Sequence, residues 1–205
     1  MAEPAPIVRT PRPPVPLVVA LVIMWLLGMY AVADGVRTIE IVRSPVGEVL
    51  EAFDGSDIGA IAQRAFVSGV SAHARALLPL GVAQLLLGSL LAVLAIRGLF
   101  WRRGSTSLAL QVVGANAALV MLGYYLHDPV RRAVVEAVVA DLAKQSPPEV
   151  SPAEFAAMAR TNLWWSFRLW LIAQLVGFGF CAAVVARRSV RQLWAAPDGR
   201  DAGEG

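Results

Sequence analysis

Residues 77–96 read LLPLGVAQLLLGSLLAVLAI, twenty positions without a charge. About 20 helical residues cross the hydrocarbon core of a bilayer, so apolar runs of about 18 or more read as membrane spans. Three further runs share this character, at 15–33, 108–126 and 163–186, the last interrupted by charge only at Arg168. In lipid each segment must satisfy its own backbone hydrogen bonds, which a helix does. The expected fold class is an all-α membrane protein: four transmembrane helices in an antiparallel bundle extended by extracytoplasmic helices.

Composition agrees. Of 205 residues, 57% are hydrophobic and 16% charged, against roughly 25% charged in an ordinary soluble domain. The net charge of +3 comes from arginine, since Lys144 is the only lysine. The basic residues flank apolar runs and form no dense stripe, so nucleic-acid binding is not expected. Cys181, the single cysteine, lies inside a run. No intramolecular disulfide, CxxC redox pair or cysteine zinc site is open to this chain.

Arginine placement sets the expected orientation. Arg9 and Arg12 precede span one, Arg97, Arg102 and Arg103 follow span two, and Arg187, Arg188 and Arg191 follow span four. These eight have no acidic neighbour. The two long loops mix ten acidic with eight basic residues. The positive-inside rule puts the arginine-only segments in the cytoplasm. Tyr124, Tyr125, Trp164 and Trp165 then mark the outer interface, and Phe100, Trp101 and Trp194 the inner one. The expected organisation is a cytoplasmic Pro-rich arm at 1–14 and spans at 15–34, 77–97, 108–126 and 163–186. Extracytoplasmic helical segments occupy 35–76 and 127–162, with a cytoplasmic loop at 98–107 and a cytoplasmic tail at 187–205. An alternative treats residues 1–33 as a cleaved signal peptide, because Ala31-Val32-Ala33 fits the small-x-small cleavage pattern. The expected location is the plasma or bacterial inner membrane, both termini cytoplasmic.

The outer segments carry helix signals. Ser151-Pro152-Ala153-Glu154 is a capping box with proline at the first helical position, and its helix is expected to run into span four. Asp128-Pro129 is a similar start, followed by Val130, Val134, Val135, Val138, Val139 and Leu142 at helical spacing, with Arg131, Arg132, Glu136 and Asp141 between them. Pro147-Pro148 ends that helix. Ser56 or Asp57 can cap a helix carrying Ile58, Ile61, Ala65, Phe66 and Val70, and Pro79 is expected to kink or restart it near the membrane surface. Val36, Ile39, Val42, Val46, Val49, Leu50 and Phe53 also fit helical spacing, interrupted at Pro45.

Two polar groups stand out. Gln84, Gln111, Asn116 and Gln174 lie inside spans, and Gln84, Asn116 and Gln174 fall at similar depth when the spans alternate in direction. Such amides act either as interhelical glue or as the lining of a hydrophilic path. The small pairs Gly88/Ala92, Gly114/Ala118 and Ala173/Gly177 suit close helix packing. The second group, Asp34, His73, Tyr124, His127, Asp128 and Arg168, gathers at the outer interface. Arg168 either pairs with Asp34 or Asp128 or snorkels to the headgroups, stacked on Trp164 or Trp165.

No catalytic constellation appears. The spans hold no Asp or Glu except Asp34 at an end, and no P-loop is present. Gly177-Phe178-Gly179 lies inside a span and reads as packing. His73 and His127 are the only histidines and the weak candidates for a metal or haem site; no cofactor is expected. The topology, one short inner loop and two outer segments, resembles that of tetraspanin-like and claudin-like four-span proteins. The outer cysteines of those families are missing here, so no function or residue carries over. The expected function is non-enzymatic: a multi-pass protein acting by contact, as accessory subunit, scaffold or sensor-like module. Its expected partners are the lipid bilayer and a protein partner or second copy. The alternatives are an oligomeric transport or channel component lined by Gln84, Asn116 and Gln174, and a metal- or haem-dependent membrane enzyme using His73 and His127.

Overall fold

The computed structural model describes residues 13–45, 57–100, 105–145 and 150–195, and every regular element among them is helical. The first, α1 (Val15–Arg43), takes its start from prolines: Pro14 is extended and Pro16 sits in the first turn, where no backbone N–H is needed. It ends at Ser44, whose ψ of 146° is the extended conformation that Pro45 imposes on its predecessor. α1 therefore runs nine residues past the expected end of span one as one unbroken helix. Val46, Val49, Leu50 and Phe53 lie outside the described residues, as do the arm at 1–12, Trp101, Arg102, Arg103 and Pro147-Pro148.

Asp57 caps α2 (Ile58–Ala72), its Oδ1 accepting from the Ala60 N–H at 2.9 Å. The chain breaks at His73, not at Pro79, and α3 (Ala74–Phe100) begins directly after it. His73 closes α2 with its own backbone N–H and with its ring, Nδ1 donating to the Gly69 carbonyl at 2.9 Å. Its carbonyl then accepts from Ala76 and Leu77 to open α3. Pro79 consequently sits more than a turn inside α3. The next break repeats the device: α4 (Thr106–Leu126), capped by Ser105, ends at His127, whose Nδ1 donates to the Gly123 carbonyl at 2.9 Å. α5 (Asp128–Lys144) starts at once, with Pro129 in its first turn.

The capping box works as its residues require. Ser151 Oγ accepts from the Glu154 N–H at 3.2 Å and donates to the Glu154 carboxylate at 3.0 Å. The helix it starts, α6 (Pro152–Val185), runs 34 residues, about 51 Å at 1.5 Å per residue. That exceeds the roughly 30 Å of a bilayer core. A short α7 (Arg188–Ala195) follows. It occupies the region expected only as a tail, because Val190, Leu193 and Trp194 form an apolar stripe that docks onto the bundle end.

Four helices, α1, α3, α4 and α6, are long and apolar enough to cross a membrane, the construction of an integral membrane protein. They pack as a ring in chain order, each on the next and α6 back on α1. The α1–α3 seam is by far the most extensive. Glycine makes it so: a Cβ on Gly28 would stand 2.7 Å from the Gly88 carbonyl, and one on Gly35 would stand 2.6 Å from the Gly81 carbonyl. Backbones this close admit no side chain. Gly114, expected in a packing pair with Ala118, faces open space instead; a Cβ there would meet nothing within 4 Å.

The buried apolar residues form two separate cores. One, around Leu17, Leu21, Met24, Leu91, Phe178 and Val184, fills the ring near its α7 end. The other, around Ile41, Val67, Val70, Leu77, Leu80 and Val130, lies where α2 and α5 pack on each other and on the long helices.

A candidate polar cavity between two cores

Between these cores lies a cavity of about 180 Å³. All four long helices line it, and α2 and α5 add Phe66 and Arg131. Gln84, Asn116 and Gln174, which sequence depth alone placed together, all face it, and so do Asp34, Tyr124 and His127 from the outer group. Three members of each group, read as separate in the sequence, thus share one site.

Its hydrogen bonds follow a pattern. Gln84 Nε2 donates to Asp34 Oδ2 at 2.8 Å, leaving Gln84 Oε1 buried and without a partner among the described residues. Asn116, 1% exposed, spends Nδ2 on the carbonyls of Val112 (2.9 Å) and Leu87 (3.2 Å). His127 spends its Nδ1–H on the Gly123 carbonyl. Asn116 has thus spent both amide hydrogens, while Gln84 keeps an acceptor unpaired among the described residues. Gln174 is buried on the same wall.

The aromatic wall was not anticipated. Tyr30 and Trp170 meet edge to face with centroids 5.3 Å apart, and Trp170 Nε1 donates to the Tyr30 hydroxyl at 3.2 Å. They close the α1–α6 seam, and both remain about half exposed on the outer surface of the ring. Phe66 and Tyr124 cover the α2/α5 end. Each carries a guanidinium on its face, Arg37 at 4.6 Å from Phe66 and Arg131 at 3.8 Å from Tyr124.

Arg131 corrects the sequence reading, which set it between the apolar positions of its helix. It is 8% exposed and shares the face of Val135 and Val138, at i+4 and i+7. Nη2 donates to the Tyr124 carbonyl and lies 3.5 Å from Asp128 Oδ1, while Nε is buried and unpartnered among the described residues. Burial pushes this guanidinium below its ordinary pKa, and Tyr124 and Asp128 pull it back. Arginine stays charged throughout.

The remaining sequence candidates lie elsewhere. Asp128 pairs with Arg132 at 2.8 Å and with Arg131. Arg168 pairs with neither Asp34 nor Asp128; it lies over the Trp165 ring at 5.5 Å. Asp34 is held by Gln84 and Asp128 by its own helix neighbours, which leaves the stacking alternative. Both Asp128 and Arg168 line a groove between α5 and α6. His73 is exposed and lines no cavity with His127, and among the described residues no three His, Cys, Asp or Glu side chains gather to hold a metal ion. Gln111 is exposed on α4, away from the other amides.

Compared with known proteins, the chain matches no family model, no curated protein and no solved structure.

Proposed function

We propose that this chain is a non-enzymatic multi-pass membrane protein acting by contact, a sensor-like module that takes a small ligand into its cavity. In this reading the four spans alternate in direction, both termini are cytoplasmic, and α2 and α5 stand on the extracytoplasmic side as the cover of the site. The single observation carrying it is the convergence of polar side chains from all four long helices on one cavity between two apolar cores. Amides serving only as glue would pair with each other; here Gln84 Oε1 lacks a partner among the described residues. The fully apolar core at the α7 end supports binding rather than conduction, since a polar path would have to cross Leu17, Leu21, Leu91 and Val184. A state change of the cover would be relayed to a protein partner or a second copy.

Native mass spectrometry of protein extracted in mild detergent tests this. The expected result is a retained small-molecule adduct or a co-purifying partner. Bare monomer from several detergents would overturn it. Orientation is checked separately: Val150→Cys should react with an impermeant maleimide on intact cells, and Ser189→Cys only after permeabilisation.

A further inference from the structure

Resting on the ligand-cavity reading, we infer that the cavity takes a zwitterionic headgroup that carries a primary ammonium at one end and a phosphate at the other. Asp34 and Arg131 line the same cavity, yet they are not paired with each other: Asp34 is held by the Gln84 amide and Arg131 by Asp128 and the Tyr124 carbonyl. One carboxylate and one guanidinium in a shared, largely apolar space favour a guest with complementary charges at its two ends. A singly charged guest would leave either Asp34 without a cation or Arg131 with only the Asp128 carboxylate that it shares with Arg132.

The neutral groups assign the ends. Beside Asp34, the buried Gln84 Oε1 is an acceptor without a partner among the described residues, and Asn116 has committed both amide hydrogens to backbone carbonyls. A primary ammonium brings three N–H donors to such a lining, whereas a quaternary one brings none. At the other end, Arg131 keeps a buried Nε–H without a partner among the described residues, and a phosphate oxygen is the acceptor a guanidinium fork binds best. Tyr30 and Trp170 supply aromatic wall on the α1 side, where Asp34 lies.

Size limits the guest. A cavity of about 180 Å³ corresponds to about six waters at roughly 30 Å³ each. That is room for a phosphoethanolamine unit and not for acyl chains. Chains would leave through the α1–α6 seam, where Tyr30 and Trp170 face outward. The same chemistry comes from a lipid or from a free water-soluble zwitterion.

Calorimetric titration of the full-length protein in maltoside detergent decides. The probes are lysophosphatidylethanolamine, lysophosphatidylglycerol of the same chain length, dodecylammonium and glycerophosphoethanolamine. The ethanolamine lysolipid is expected to bind at least about tenfold tighter than either singly charged amphiphile, the scale of one lost charge-assisted contact. Asp34→Asn and Arg131→Gln should each weaken it about tenfold and leave the other single-ended probes nearly unchanged. Glycerophosphoethanolamine binding as tightly as the lysolipid identifies a free zwitterion as the ligand; its failure beside a binding lysolipid identifies the lipid. Equal affinity for the three amphiphiles, or insensitivity to both variants, overturns the inference. The probe comparison on the unaltered protein stands even if a variant misfolds. A singly charged probe that binds as tightly as the ethanolamine lysolipid, and that Asp34→Asn or Arg131→Gln abolishes, would sink the zwitterion while sparing the ligand cavity. Absence of any binding together with bare monomer in native mass spectra would remove both.

Discussion

Gln84 Nε2 and Asp34 Oδ2 meet at 2.8 Å, joining α3 to α1 across fifty positions of sequence. The contact sits one turn from the Gly35–Gly81 approach, so the two backbones that glycine brings together hold the amide and carboxylate in register. A hydrogen bond to a charged acceptor contributes about 1.5–3 kcal/mol. A double-mutant cycle on Asp34→Leu and Gln84→Leu should therefore show coupling of about 1–2 kcal/mol. Reversible unfolding in mixed micelles measures it. Additive single effects would mean that the bond contributes nothing to the seam.

The glycine seam makes a sharper contrast. Gly28→Leu must push a side chain into the Gly88 carbonyl and Ala92 backbone, and overpacking of this kind costs about 1–3 kcal/mol or more. Gly114→Leu adds a side chain where a Cβ meets nothing, and should be neutral or slightly stabilising as a better helix former. Melting temperatures of the two variants in one detergent check the pair. Equal effects would contradict the packing.

Two neighbouring arginines should behave oppositely. Arg132 pairs with Asp128 at 2.8 Å in the open, with its side chain 71% exposed, and such pairs contribute at most about 1 kcal/mol. Arg131 is buried, and its truncation strips a carbonyl and an aromatic face of their partner. Arg131→Ala is expected to cost about 2–3 kcal/mol, and Arg132→Ala less than about 0.5 kcal/mol. Salt titration separates them further, since only the exposed pair is screened.

Cys181 offers an internal reporter. It is fully buried in the core near α7, with Sγ donating to the Ala20 carbonyl at 3.3 Å. A thiol in such surroundings is inert. Maleimide labelling of folded protein should be negligible over hours and become rapid on unfolding in dodecyl sulfate. Fast labelling in mild detergent would show that α1 and α6 separate there.

The four apolar helices are legible along the chain, because about 20 uncharged residues in a row permit little else. So are several helix ends: Ser151 with Glu154, Asp57, and Ser44 before Pro45 all act through local backbone chemistry visible at a spacing of one to three residues. Depth counting placed Gln84, Asn116 and Gln174 at one level. Which faces meet emerges only when the helices pack. Span sequences are apolar all round, so they carry no stripe to say whether Gly114 or Gly88 packs, or that Gln111 turns away from the other amides. The break at His73 depends on a ring bonding back to Gly69, a competition that propensity does not resolve. Arg131 joined the cavity because α5 packs on α2 and α6 with that face inward, a choice of partners that its own segment does not announce. Charge and hydropathy act locally and can be read along a chain. The union of Asp34 with Arg131 around one space depends on how six helices close over it, which no single segment encodes.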